Sequence, residues 1–137
     1  MARGDAETIE RVLRLPVWAV VGLSSNRSRP AYGVAAFLQA QGKRIVPVNP
    51  AGMQVLGQPG FRSLAEIPFP VDVVDIFRRS EAAGVHVDEA LAIGARAAWL
   101  QLGVIDEAAA ARVAAAGIDV VMDRCPHIEW GAHGPAT

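Results

Sequence analysis

The sequence predicts an α/β fold, a doubly wound five-stranded parallel sheet with helices on both faces. Two observations carry this. Short apolar runs without polar alternation recur along the chain, as in strands buried on both faces. Between them lie segments of helical spacing, about 7 to 12 residues long, so that strand and helix alternate as they do in βαβ units. The expected strand order is 3-2-1-4-5.

Taken in order, residues 5–15 place Ile9, Val12 and Leu13 at i, i+3 and i+4 between charges, one helical stripe that Pro16 ends. Residues 17–21 read Val-Trp-Ala-Val-Val, a buried strand. A polar loop over 22–30 leads to a helix over 31–41 closed by Gly42. Residues 44–48 form the second strand, stopped by Asn49-Pro50, and 51–62 read as loop. Ser63 and Glu66 have the spacing of a capping box, and Pro68 and Pro70 limit that helix to about one turn.

The second half continues with strand 71–77, helix 87–93, strand 97–102, helix 106–116 and strand 118–122. Asp106 is placed to cap its helix, and Gly94 and Gly117 to end theirs. Residues 131–137 read as a loose tail. With no repeat and no linker, one Rossmann-like domain over 1–137 is expected.

Composition narrows the function. Apolar residues at 52% and charged residues at 20% support a packed core rather than disorder. A net charge of −1 argues against a nucleic-acid partner. A single cysteine, Cys125, forbids an internal disulfide and fits a reducing, cytoplasmic setting. No apolar run reaches the roughly 18 residues of a membrane span, and the charged N-terminus lacks the apolar stretch of a signal peptide.

In such sheets ligands bind beyond the carboxyl ends of the strands, where strand order reverses. The first of these loops runs Gly22-Leu23-Ser24-Ser25-Asn26-Arg27-Ser28-Arg29-Pro30. Gly22 permits a sharp turn and close approach, the serines and Asn26 supply hydrogen-bonding groups, and Arg27 and Arg29 supply charge. Together with a helix N-terminus this suits a diphosphate, although helix-capping serines in a polar loop explain it too. The second strand ends Val48-Asn49-Pro50 without the acid that would bind an NAD ribose. Coenzyme A or NADP, each with a phosphate on the ribose, are therefore the better candidates. Asn49-Pro50 also reads simply as a turn. Phe77-Arg78-Arg79 and Gln101 end the third and fourth strands at the same edge.

Other reactive residues give weaker signals. Cys125 follows the last strand, near that edge, and reads either as a small buried side chain or as a redox group. His86, His127 and His133 lack metal-ligand spacing, so no metal site is expected. Asp72 and Asp75 read as capping or solvated acids, and Trp99 as core. No catalytic residue is assigned.

With these residues laid out, the chain resembles the bacterial CoA-binding domain family, small stand-alone proteins similar to the N-terminal CoA-binding domain of the succinyl-CoA synthetase alpha subunit. The resemblance rests on Val20-Val21-Gly22-Leu23-Ser24, Arg29-Pro30-Ala31-Tyr32-Gly33-Val34, residues 41–50, Leu56-Gly57, residues 71–78, residues 99–103 and residues 121–126. It implies that Gly22–Ser25 holds the diphosphate, that the adenine-ribose lies near Val48, Asn49 and Pro50, and that the pantetheine lies near Phe77, Arg78 and Gln101. Many relatives carry a lysine directly after the Asn-Pro pair, where this chain has Ala51, so Lys43, Arg44 or Arg29 is expected to meet the 3′-phosphate. The synthetase's phosphohistidine lies in a domain absent from this sequence.

The reading that follows is a coenzyme A-binding protein, non-catalytic by itself, with a carrier, sensor or accessory role and CoA or acyl-CoA as partner. Two alternatives are an NADP- or acyl-CoA-dependent enzyme and a Rossmann-like interaction domain that has lost its ligand.

Overall fold

The computed structural model describes residues 4–135. Five helices and five strands follow in the order α1 (Ala6–Leu13), β1 (Val17–Val21), α2 (Pro30–Ala40), β2 (Arg44–Val48), β3 (Val73–Ile76), α3 (Ser80–Ala92), β4 (Ala97–Leu100), α4 (Glu107–Ala115), β5 (Asp119–Val121) and α5 (Pro126–His133), with a 3-10 turn at Leu64–Glu66 in place of a helix between β2 and β3. All strands pair in parallel. Among the described residues no helix is long and apolar enough to cross a membrane.

The strand order is β2-β1-β3-β4-β5, not the expected 3-2-1-4-5. Pro47 gives the reason. A proline lacks the N–H that a strand paired on both sides would need, so β2 belongs at an edge. The Pro47 carbonyl points to the open side, where it accepts from Phe61 N at 3.0 Å, and the ring nitrogen faces the same way. β3, fully buried along its length, takes the central place beside β1. The sheet thus reverses direction between β1 and β3.

Alternating side chains feed two cores. Trp18, Val20 and Trp99 face α1 and α2, packing on Leu13 and Leu38, with Trp130 of α5 against the same cluster. Ala19, Val21, Val74, Ile76 and Leu100 face the other way, onto Ala83 and Val87 of α3 and Ala109 and Val113 of α4. Asp5 caps α1 by accepting from Thr8 N at 2.8 Å. Arg11 then ties that helix to β5 through two bonds to Asp119, of 2.8 and 2.9 Å. Asp106 caps α4 as expected, accepting from Ala109 N.

Three local expectations need correction. The Ser63 side chain makes no capping bond, and Glu66 instead accepts from Arg62 N at 2.9 Å, so the capping box does not form. α3 starts at Ser80 rather than at 87, passing through Gly84. A Cβ on Gly84 would sit 2.5 Å from Asp106 Oδ2, so the glycine is what lets the start of α4 approach α3. Residues 131–133 belong to α5 rather than to a loose tail, held because His127 stacks on Phe37 at 3.8 Å and Trp130 packs edge-on to the same ring. Of the remaining tail, 136 and 137 lie outside the described residues, as do residues 1–3 at the other end of the expected domain.

Gly22 closes β1 with φ +96°, and a Cβ there would lie 2.6 Å from the Phe77 carbonyl oxygen. The constraint is therefore on the fold itself as well as on ligand approach. Gly22→Ala should cost about 2 kcal/mol or more of unfolding free energy, from the positive φ and the clash together. A urea titration reads this directly; an unchanged midpoint would mean that the β1 and β3 ends are free to part.

Candidate functional site

The carboxyl ends of β1 and β3 meet at the reversal of strand order, and two cavities open there. One, of about 610 Å³, is lined by Ser24, Arg29, Val48, Asn49, Pro50, Arg62, Arg78, Arg79 and His86 among others. The second, of about 450 Å³, is lined by Pro30, Ala31, Val34, Gln101, Leu102, Val104, Cys125 and Ile128 among others. Gly22, Arg29 and Phe77 line both, so the two cavities adjoin at the switch point.

The loop after β1 organises itself. Ser24 Oγ accepts from Asn26 N at 3.3 Å, and Asn26 Oδ1 accepts from Ser28 N and Ser28 Oγ at 3.0 and 2.6 Å. These bonds form an Asx-type turn and leave Ser25, Asn26 and Ser28 exposed on its outer side. Of the loop's candidates, Gly22, Ser24 and Arg29 reach the cavity walls. Leu23 is fully buried in the core. Pro30 opens α2, where its missing N–H costs no helical bond.

Asn49 lines the larger cavity with its side chain fully engaged. Its amide nitrogen donates to the carbonyls of Leu23 and Met53 at 3.0 and 3.1 Å, and its oxygen accepts from Met53 N at 2.7 Å. It clamps the β1 and β2 loops together and so acts on any ligand through their placement.

The charge in the larger cavity is one-sided. Four arginines line it and, among the described residues, no carboxylate lines either cavity. Arg79 is drawn off to Glu81 at 3.5 Å, while Arg78 Nη1 lies 3.4 Å from His86 Nε2. The other nitrogen of His86 lies 2.6 Å from Glu89 Oε1, which orients the ring. Arg62 and His86 were missed from the sequence. Arg62 comes from the loop before the 3-10 turn and lies against Gly52, where a Cβ would come within 3.2 Å of its Cγ.

Two of the cations expected to replace the missing lysine point elsewhere. Lys43 and Arg44 stand at the amino edge of β2, away from the ligand edge. The Lys43 ammonium lies 5.4 Å over the Trp130 ring, where burial lowers its pKa, and the Arg44 guanidinium stacks 3.8 Å over Phe69. Of the three cations expected there, Arg29 alone lines the larger cavity, with Arg62, Arg78 and Arg79.

Asp75 is not the capping or solvated acid that the sequence suggested. It lies in β3 between Val20 and Trp99, fully buried, and neither carboxyl oxygen has a hydrogen-bond partner. Burial holds its carboxyl well above the usual carboxylate range. Strand alternation puts it on the same face as Phe77, beneath the site. Asp72 does cap, accepting from Val17 N at 3.0 Å. Gln101 is also buried, and its Oε1 has no partner although the residue lines the apolar cavity. Trp99 is core, as expected, and donates from Nε1 to the Arg124 carbonyl at 2.9 Å.

Comparisons with known proteins agree with this geometry. The family described as CoA binding domain matches residues 16–131. The uncharacterized protein YneT of Bacillus subtilis is 38% identical over 119 residues, covering 87% of this chain and 86% of its own. A hypothetical protein from Pyrococcus horikoshii superposes with a TM-score of 0.89 at 30% identity, over 95% of this chain and 92% of that one. A dinucleotide-forming acetyl-coenzyme A synthetase from Ca. Korarchaeum cryptofilum shares the fold, with a TM-score of 0.74 at 21% identity, over 84% of this chain and 27% of that one.

The buried acid makes stability depend on pH. The folded chain keeps on Asp75 a proton that the unfolded chain releases above about pH 4, so this group destabilises the fold progressively as pH rises above that value. Asp75→Asn removes the titration with little change of shape. Its stability relative to the parent, read as the difference in Tm, should rise as pH increases above about 4; parallel pH profiles would mean that the carboxyl titrates as it does in the unfolded chain.

Proposed function

The chain belongs to the CoA-binding domain family, and from that premise we propose that it binds coenzyme A across the two cavities and is a binding module rather than a catalyst. The 3′-phospho-ADP arm takes the arginine-lined cavity and the pantetheine arm the apolar one. The observation that carries this reading is the junction: a cationic and an apolar cavity that share Gly22, Arg29 and Phe77. Coenzyme A has the matching polarity, a polyanion at one end and a narrow, nearly neutral arm at the other.

The residues present fit such a ligand. Ser24, Arg29 and the start of α2 face the diphosphate. Arg62, which lines the same cavity as Pro50, takes the place of the missing lysine and meets the 3′-phosphate. Gln101, on the wall of the apolar cavity, offers its side-chain amide to the polar groups of the pantetheine arm. Phe77, Val34 and Val104 supply the apolar contact. NADP fits less well, because its second ribose and cationic ring would enter the apolar cavity.

A binding role is supported by the wall chemistry. Cations and apolar side chains dominate both cavities, and His86 is already engaged by Glu89 and Arg78. A module of this kind serves as a carrier, sensor or accessory protein that presents CoA or an acyl-CoA to a partner. An acyl-CoA incubated with the protein is expected to remain intact.

Calorimetry tests the reading. CoA should bind with about micromolar affinity or tighter, and NADP should give no heat. Arg62→Ala should weaken CoA about tenfold while leaving dephospho-CoA unchanged, since only CoA carries the 3′-phosphate. Equal losses for both ligands would move that phosphate away from Arg62, and silence with CoA would remove the reading altogether.

A further inference from the structure

We propose that the apolar cavity holds an acyl chain, so that the ligand is an acyl-CoA whose acyl group is an uncharged hydrocarbon chain of several carbons. The inference rests on the CoA-binding reading and deepens it by naming the chemical class carried on the thiol.

The apolar surface does not stop at the inner wall of that cavity. Val34 and Val104 are buried there, whereas Leu102 and Ile128 line the same cavity at 58% and 63% exposure. Single exposed apolar side chains are ordinary, and Val85 and Leu91 of α3 are of that kind, lining neither cavity. Leu102 and Ile128 differ because they come from separate elements, the segment just beyond β4 and the first turn of α5, and converge on one cavity. Among the described residues that line it, Arg29 is the one charged group, and it stands at the junction with the arginine-lined half.

Both side chains are presented by backbone that is held in place. Val104 N donates to the Gln101 carbonyl at 2.8 Å, closing a tight turn with Leu102 at its second position. Gly103, with φ +82°, takes the third, which is the glycine position of a type II turn. Gly103 N donates to Asp123 Oδ1 at 2.8 Å, which fastens this turn to the loop after β5. Ser80 Oγ donates to the Gly103 carbonyl at 3.3 Å and accepts from Ile105 N at 2.9 Å. Ile128 follows His127, whose ring stacks on Phe37, and Trp130 packs on the same ring. A surface ordered in advance loses little conformational freedom when a ligand covers it.

The ligand's own polarity says what covers it. The pantetheine arm carries amides and a hydroxyl, and it enters from the junction at Gly22, Arg29 and Phe77, so its sulfur is the end farthest from that junction. A free thiol ends there and leaves Leu102 and Ile128 in water. A hydrocarbon chain on the sulfur continues over both side chains and removes apolar surface from water on each partner. A dicarboxylic acyl group would instead set its terminal carboxylate against these apolar side chains with no cation beside it, and desolvation offsets the gain.

Calorimetry with free CoA and with acetyl-, butyryl-, hexanoyl- and succinyl-CoA tests this. Affinity should rise about twofold to threefold for each methylene between acetyl and hexanoyl, so that hexanoyl-CoA binds at least about tenfold tighter than free CoA. Succinyl-CoA, with as many acyl carbons as butyryl-CoA, should bind no tighter than free CoA. Leu102→Gln and Ile128→Gln together exchange exposed side chains, so Tm should hold. In that double variant the ratio of hexanoyl-CoA to free CoA affinity should fall to about threefold or less. Equal affinities for free CoA and hexanoyl-CoA, succinyl-CoA binding as tightly as butyryl-CoA, or an undiminished ratio in the double variant would each overturn the proposal and leave CoA binding in place. Absence of binding by CoA and by every thioester overturns the CoA-binding reading with it.

Discussion

The close approach of Gly22 to the Phe77 carbonyl is the constraint on which the rest depends. It fixes how the chain leaves β1 and β3, the two strands between which the sheet changes direction. A side chain at Gly22 would have to displace backbone, since the oxygen would lie 2.6 Å from its Cβ. Because the two ends are held together, the loops beyond them diverge, one toward β2 and the other toward β4. Each cavity lies on one side of that junction, so the same contact that closes the fold also joins the two halves of the site.

The division of labour between the halves follows from the loops that reach them. The β2 side receives its cation from Arg62, brought in by the loop that pairs Phe61 with β2. Asn49 locks that side to the β1 loop through its bond to the Leu23 carbonyl, while two bonds with Met53 hold its own loop. The β4 side receives Gln101 and, through the braced loop after β5, Cys125. Charge is concentrated in one half, with Arg29 at the junction, and the other half is mainly apolar, which is how a protein discriminates a ligand that is itself divided in this way. Asp75 stands apart from both halves: a buried, unpartnered acid under the site imposes a cost on the fold that rises with pH.

Much of this was legible in the sequence. The strands appear as short β-branched runs because each is buried on both faces, and Asp106 announces its helix through local capping chemistry. Gly22, Ser24, Arg29, Phe77, Arg78 and Gln101 follow from the rule that ligands gather at the carboxyl edge, and all of them line the cavities. The strand order was misread although its signal was present, since Pro47 already marks β2 as an edge. Other features depend on distant partners. α5 contains Gly131 and has little helical propensity of its own, so it is held by Phe37. Arg62 lies in a loop with no motif, and only the folded chain brings it against Gly52 and into the cavity wall. Lys43 and Arg44 looked available because their aromatic partners, Trp130 and Phe69, are remote in sequence.

The claim that one ligand bridges both halves is tested most directly by comparing amide shifts of the labelled protein with CoA and with adenosine 3′,5′-bisphosphate. Both ligands should shift Ser24, Asn49, Arg62 and the junction residues Gly22 and Phe77, while Gln101 and Cys125 shift with CoA alone. The same residues moving with both ligands, or Gln101 and Cys125 remaining still with saturating CoA, would contradict a pantetheine arm in the apolar cavity.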